Sequence, residues 1–267
     1  MENNYDVIIL GAGASGMTAA LAVYENGLSV GLFEKQNLVG GTAGVSGGII
    51  WAPMNSHMKD KGIKDERSMA IDYFMSLSNG EIDPIRLESF IDNCSSAIDF
   101  IEEKTDANFY VLDGYPDYYL DRPGAILGGG RALDNKLFNF CKLGEWAKKV
   151  RNNGMPIPMT LGETPLGGGT GLVDEEEMNE RISKDARGMG QALVGALLKG
   201  CLDRGIEPEL NVNTKKLIKD KNRITGIEIE SGGVKKEIFA NKGVIIATGG
   251  FEWNEELVNN FLRGPLN

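Results

Sequence analysis

Residues 5–34 read YDVIILGAGASGMTAALAVYENGLSVGLFE, and the order of residue types in this stretch decides the fold. Tyr5 to Leu10 is a continuous apolar run, as expected of a strand buried on both faces of a parallel sheet. Glycines follow at once. From Met17 to Glu25 the apolar residues Met17, Ala20, Leu21 and Tyr24 recur at helical spacing, and Gly27 ends that helix. Leu28 to Phe33 then reads as a second strand, so the chain opens with a βαβ unit.

Between the first strand and the helix lies Gly11-Ala12-Gly13-Ala14-Ser15-Gly16, a G-x-G-x-x-G fingerprint. Gly11 permits the tight turn, Gly13 lets the main chain approach a pyrophosphate, and Gly16 allows close helix–strand packing. The helix mouth adds free N–H groups and partial positive charge. Glu34 ends the second strand 18 positions after Gly16, where an acid can accept from ribose hydroxyls. Gly40, Gly41, Gly44, Gly47 and Gly48 then follow among small residues. Such side-chain-free backbone gives a second contact surface, which the ribityl arm and flat ring of FAD need. A nicotinamide-binding module without flavin is the alternative, and absorbance of the purified protein distinguishes them.

Further along, residues 64–79 and 84–104 read as helices. Asp83 is the expected N-cap of the second, with Pro84 at its first position and Leu87, Phe90, Ile91, Cys94, Ile98 and Ile101 as an apolar stripe. Residues 113–180 are rich in Gly, Pro and Asp with weak periodicity; a loop of that length implies function or disorder. Residues 186–204 give another helix. Strands are expected over Glu209 to Ile218, Ile224 to Glu230 and Val234 to Phe239, with NRITG and SGG as turns, and Gly243 to Thr248 is expected as one more buried strand. The fold class is α/β: a Rossmann-like FAD-binding domain with a parallel sheet, an added β-meander and a helical and irregular insertion. The expected partition of domain 1–267 is a core over 1–55 and 185–255, with the insertion at 56–184.

The run GAGASGMTAALAVYENGLSVGLFEKQNLVGGTAGVSGGIIWAPMN, together with GYPDYY, GMGQALVGALLKG, NRITGIEIE and GVIIATGGFEWNEEL, resembles the fumarate reductase and 3-ketosteroid Δ1-dehydrogenase flavoprotein family. SGGIIWAPMN and YPDYY lean towards the ketosteroid branch. The resemblance implies that Gly11, Gly13, Ala14, Ser15 and Gly16 hold the pyrophosphate, and Glu34 and Lys35 the adenosine ribose. It places Gly40, Gly41, Thr42, Ala43, Ser46, Gly47 and Gly48 along the ribityl chain and isoalloxazine. The strand around Thr214 presents backbone to adenine, and Ala247 to Gly250, Gly249 included, return to the cofactor. It also implies a substrate-pocket tyrosine, for which Tyr119 is the first choice and Tyr118 the second; packing aromatics in a long loop are the other reading of Tyr115, Tyr118 and Tyr119.

Family members run to about twice this length, so the catalytic domain and the flavin-covering segment are expected to be absent. The implied reaction is dehydrogenation or reduction of a C–C bond beside a carbonyl. A small molecule is the expected substrate: a 3-ketosteroid first, a fumarate-like or other unsaturated acid second. A fragment, or a split-enzyme subunit inactive without a second polypeptide, is the remaining alternative.

The net charge of −10 opposes phosphate backbones, so no nucleic-acid partner is expected. Cys94, Cys141 and Cys201 are widely spaced with no C-x-x-C pair, and no transmembrane segment or signal peptide is read, which together suggest a cytoplasmic protein. No metal is expected: the Asp174–Glu177 run reads as a solvated charged face. The sole histidine, His57, reads as a solvated loop residue.

Overall fold

The computed structural model describes residues 3–262. Strand β1 (Asn4–Leu10), helix α1 (Ala14–Glu25) and strand β2 (Val30–Phe33) open the chain. Next come β3 (Ile50–Trp51), α2 (Ser56–Asp60), α3 (Arg67–Leu77), α4 (Pro84–Lys104), β4 (Phe109–Val111), β5 (Ala132–Asn135) and β6 (Phe138–Asn139). They are followed by α5 (Glu175–Ser183), β7 (Ala186–Arg187), α6 (Met189–Asp203), β8 (Asn213–Asp220), β9 (Arg223–Ser231), β10 (Val234–Ile246) and α7 (Glu255–Phe261). The elements fall into two compact units, Met1–Asn37 with Pro208–Asn267, and Leu38–Glu207.

The first unit is built on a mixed sheet of order β2-β1-β10-β9-β8, with α1 packed against β1, β2 and β10. β1 pairs in parallel with β2 and β10, whereas β8, β9 and the first half of β10 form an antiparallel meander. The β9–β10 turn falls on Gly232 and Gly233, whose φ values of 57° and 77° are those a tight hairpin turn requires. Ile8, Leu10, Phe33, Val212, Ile227, Ile229, Ile238 and Ala240 make one buried cluster. Each large aliphatic side chain there contributes about 1.5–3 kcal/mol by leaving water. In α1 the buried face is Gly16, Met17, Ala20 and Leu21, and Tyr24 turns outward.

Two expectations fail here. Val234–Phe239 and Gly243–Thr248 are not separate strands, because β10 runs through Gly243 and changes partner without a turn: it pairs with β9 up to Phe239 and with β1 beyond. Nor is Gly243–Thr248 a buried strand, since Ile245 and Ile246 are 37% and 61% exposed.

The second unit holds a three-stranded sheet β3-β5-β4, a two-stranded sheet β6-β7, and helices α2 to α6. α6 is buried almost all round, from Gly190 to Leu198, which marks it as this unit's central helix. In α4, Leu87, Ile91, Cys94, Ile98 and Ile101 are buried as the stripe predicts. Phe90 is not: it lies at the margin of the stripe, exposed, and sets its ring edge-on against Phe74 at 5.7 Å. Among the described residues no helix is long and apolar enough to cross a membrane.

Asp83 caps α4 by accepting the Ile85 N–H at 3.0 Å. Asp83→Ala should lower stability by about 0.5–2 kcal/mol in urea unfolding; an unchanged midpoint would show that the cap is replaced by water.

Candidate functional site

In the first unit, three backbone segments meet at the glycine fingerprint with no room for side chains. Gly11 has φ 102°, and a Cβ there would lie 2.4 Å from the Ala247 carbonyl oxygen. A Cβ on Gly16 would lie 1.8 Å from the Gly11 carbonyl oxygen. Hydrogen bonds fix the same junction: Gly11 donates its N–H to Phe33 O at 2.7 Å, and Ala247 donates to Leu10 O at 2.8 Å.

At the mouth of α1, no side chain caps Gly13 and the first turn carries no acid. Ser15 is exposed; Gly13 and Ala14 are half-buried. Glu34 folds back on this mouth. Its Oε2 accepts the Ala12 N–H at 3.0 Å, and its Oε1 accepts the Gln36 N–H at 2.9 Å. A carboxylate has about four acceptor positions, so two remain for hydroxyl donors.

Lys35 is exposed. Thr214 lies on the outer strand β8, two residues beyond Val212, whose N–H binds Glu34 O at 2.9 Å. Gly249, with φ 74°, is exposed.

In the second unit the later glycine cluster wraps the start of α6. Gly190 donates to Ser46 O at 3.1 Å, and a Cβ on Gly190 would lie 1.8 Å from Ala43 O. A Cβ on Gly48 would meet Met189 C at 2.4 Å, and one on Gly44 would meet Arg151 O at 2.7 Å. Met189 itself holds φ 54°, a strained value for a non-glycine residue. Gly40 is tight against Val194, at 3.0 Å. Gly41, with φ 49°, has open space where a Cβ would be, and Gly47 meets only ordinary contact. Thr42 precedes a single 3₁₀ turn over Ala43–Val45, and the Ser46 hydroxyl accepts the Gly48 N–H at 3.0 Å. Packing thus accounts for Gly40, Gly44 and Gly48; Gly47 lies in ordinary contact with Leu161, and Gly41 alone of these five has open space beside its Cα.

The tyrosine loop hangs from a buried cation. Arg131, 1% exposed, donates to Asp65 through Nε (2.9 Å) and Nη2 (2.6 Å), to Asp117 Oδ2 through Nη1 (2.9 Å), and to Gly124 O (3.0 Å). Trp51 Nε1 donates to the other Asp117 oxygen at 2.7 Å, and the guanidinium lies 5.2 Å from the Trp51 ring. Asp117 belongs to the YPDYY stretch, so this clamp fixes the segment that carries Tyr118 and Tyr119. Both tyrosines are exposed, and the Tyr119 N–H is held by the Tyr73 hydroxyl at 3.2 Å. A hydrogen bond with Tyr118, together with burial, pushes the Tyr115 hydroxyl up to about 12. Nothing in the sequence near Asp65, Trp51 or Arg131 announces the clamp, since the three lie far apart along the chain.

His57 is not the solvated loop residue expected. It sits on α2 with Nε2 2.8 Å from Glu102 Oε2, and Glu102 Oε1 accepts the Phe109 N–H at 2.7 Å. Asp174 caps α5 by accepting from Glu176 and Glu177, so the acidic run complements a helix dipole.

The family profile described as FAD binding domain matches residues 6–264. The 4-oxocyclohexanecarboxylate 2-dehydrogenase of Sinomonas cyclohexanicum is 34% identical over 99% of this chain and 46% of its own length. The 3-oxosteroid 1-dehydrogenase of Mycobacterium tuberculosis is 29% identical over 98% of this chain and 50% of its own. Among solved structures, the 3-ketosteroid Δ1-dehydrogenase of Sterolibacterium denitrificans, in complex with 1,4-androstadiene-3,17-dione, superposes with a TM-score of 0.87 at 30% identity, covering 100% of this chain and 51% of that one. The chain spans about half the length of these relatives.

Arg131→Met should cost about 3–5 kcal/mol in urea unfolding, because it leaves Asp65 and Asp117 buried without their cation. A loss below about 1 kcal/mol would show that water enters and solvates the two carboxylates.

Proposed function

The chain belongs to the FAD binding domain family, and on that premise we propose that it is the cofactor-holding part of a flavoenzyme that dehydrogenates a C–C bond beside the carbonyl of a ring ketone. The carrying observation is the Glu34 carboxylate folded onto the Ala12 N–H at the uncapped mouth of α1. FAD is the cofactor, and the residues fit it. The fingerprint is stripped of side chains where a pyrophosphate would approach, and the acid keeps acceptor positions for ribose hydroxyls.

Within this reading, the main chain from Gly13 to Gly16 binds the pyrophosphate, Glu34 the adenosine ribose, and backbone near Thr214 the adenine. Gly41, Thr42, Ala43, Ser46 and Gly47 face the ribityl chain and ring, with Gly249 returning to the cofactor. Tyr119, or Tyr118 beside it, lines the substrate pocket. Bound FAD supplies the acceptor for the hydride. Deprotonation beside the carbonyl falls to a base in the half of the relatives' length that this chain does not span, so the chain alone turns over negligibly. Domain organisation follows the same proposal: a core of 1–55 and 185–255 around the insertion at 56–184, active in the cytoplasm once joined to the remaining half.

The substrate class is drawn from what the relatives share. One is named for an oxocyclohexanecarboxylate and others for a 3-oxosteroid, and both substrates place a ketone in a six-membered ring. A fumarate-like acid lacks that ring.

A chimera in which this chain replaces the matched part of the S. cyclohexanicum enzyme should oxidise 4-oxocyclohexanecarboxylate or a 3-ketosteroid with an artificial electron acceptor; turnover of fumarate alone would overturn the substrate class. Glu34→Ala should weaken FAD binding by about 1–3 kcal/mol, roughly 5- to 150-fold in Kd. An unchanged Kd would remove Glu34 from the site.

A further inference from the structure

The strands of the second unit bring Asn135 to the later glycine cluster. β3 and β5 are antiparallel, with Ile50 opposite Leu133 and Trp51 opposite Ala132, and two residues further that register sets Asn135 opposite Gly48. The main-chain ladder does not reach so far. The Asn135 N–H goes to the Asp134 carboxylate at 2.7 Å, and the Asn135 side chain takes over, its Nδ2 donating to Gly48 O at 2.9 Å. Gly48 O fixes which end of the amide faces it, because only the nitrogen donates. The other end, Oδ1, is buried without a hydrogen-bond partner among the described residues, in a residue 1% exposed.

An amide is an unexpected choice at this place. Asparagine is disfavoured in strands, and an acceptor buried without a donor costs the fold its desolvation. The gain lies in the backbone opposite. Ser46, Gly47 and Gly48 run through two glycines, the second at φ 74°, and their three peptide planes would otherwise swivel. Each plane is pinned once. Ser46 O accepts the Gly190 N–H at 3.1 Å, the Gly48 N–H donates to Ser46 Oγ at 3.0 Å, and Gly48 O accepts from Asn135. Of these three residues, Gly47 alone keeps its N–H and C=O unpaired among the described residues. The peptides are trans, so the first two planes direct those groups away from their pins. The mount is rigid as well: Asp134, beside Asn135, accepts from the Tyr110 hydroxyl at 2.6 Å and from the Gly162 N–H at 2.7 Å.

We propose that Asn135 is a positioning residue for the flavin: it holds the third of these planes so that the Gly47 N–H and C=O are presented to the polar edge of the isoalloxazine ring. The inference rests on the reading that Ser46 and Gly47 face that ring. The ring edge carries carbonyl oxygens, ring nitrogens and one N–H, so it can accept from the Gly47 N–H and donate to the Gly47 carbonyl. Asn135 acts through Gly48 and makes no contact with the cofactor itself. Without the amide, Gly48 is free to rotate about its own bonds, and the groups of Gly47 lose their fixed direction.

The test measures, by calorimetric titration of the full chain, the dissociation constants of FAD and of ADP, which lacks the ribityl chain and the ring. Asn135→Leu keeps the size of the side chain and removes the donor. It should raise the FAD Kd about 3- to 10-fold, the worth of one hydrogen bond, shift the visible absorption band of bound flavin, and leave the ADP Kd unchanged. Asn135→Asp, which has the same shape and no donor when ionised, should do the same, and it carries the test if the leucine variant does not fold. A merely structural role for Asn135 predicts a lower melting temperature with both Kd values changed alike or neither changed, and that result would overturn the proposal. A wild-type chain that binds FAD no more tightly than ADP would overturn the reading of the ring site and the proposal with it. A wild-type chain that prefers FAD, with the same preference kept in both variants, would overturn the proposal alone.

Discussion

A carbonyl oxygen resting where a side chain would otherwise stand governs the first unit. Gly11 O lies 1.8 Å from the position a Gly16 Cβ would take, and Ala247 O lies 2.4 Å from that of Gly11. These contacts let α1 start directly against the ends of β1 and β10. They also leave the helix mouth lined by main chain, without a capping side chain. Because β2 runs beside β1 in register, Leu10 opposite Phe33, the residue that follows is carried to the fingerprint, and Glu34 reaches the Ala12 N–H. The crevice is therefore a product of backbone packing, with one acid as its only charged member among the contacts described.

The second unit solves a different problem. Its long irregular segment cannot satisfy its polar groups through regular ladders, and buried carboxylates do so instead. Asp117 takes the Ile126 N–H, the Trp51 indole and the Arg131 guanidinium; Asp134 takes the Gly162 N–H and the Tyr110 hydroxyl at 2.7 and 2.6 Å. Burial and the neighbouring Asp134 raise the Tyr110 hydroxyl well above the ordinary tyrosine range, so it stays a donor. Such networks hold a loop in one conformation when every member is satisfied. Tyr118 and Tyr119 can then be exposed without being loosely held.

The βαβ opening was legible because period, glycine spacing and the terminal acid each carry local information. The α4 cap and stripe were legible for the same reason, apart from Phe90, whose place at the stripe's margin depends on Phe74 from another helix. The Arg131 clamp was not, since its partners lie at residues 51, 65, 117 and 124 and no periodicity joins them. The second glycine cluster is legible as backbone approach, but much of that approach is to protein: Gly40 and Gly48 pack against α6, and Gly44 against the Arg151 carbonyl. The place of His57 is not legible, because its partner Glu102 is 45 residues away. The continuity of Val234–Ile246 is not legible either, because a strand that changes partner in mid-course leaves no mark in a local pattern.

The ligand held at the mouth of α1 decides the function of the first unit. Calorimetric titration of the purified chain with FAD, and separately with NAD, measures this without reference to turnover. Saturable binding of one FAD per chain, with no binding of NAD at the same concentrations, is the predicted result; NAD binding without FAD binding would contradict it.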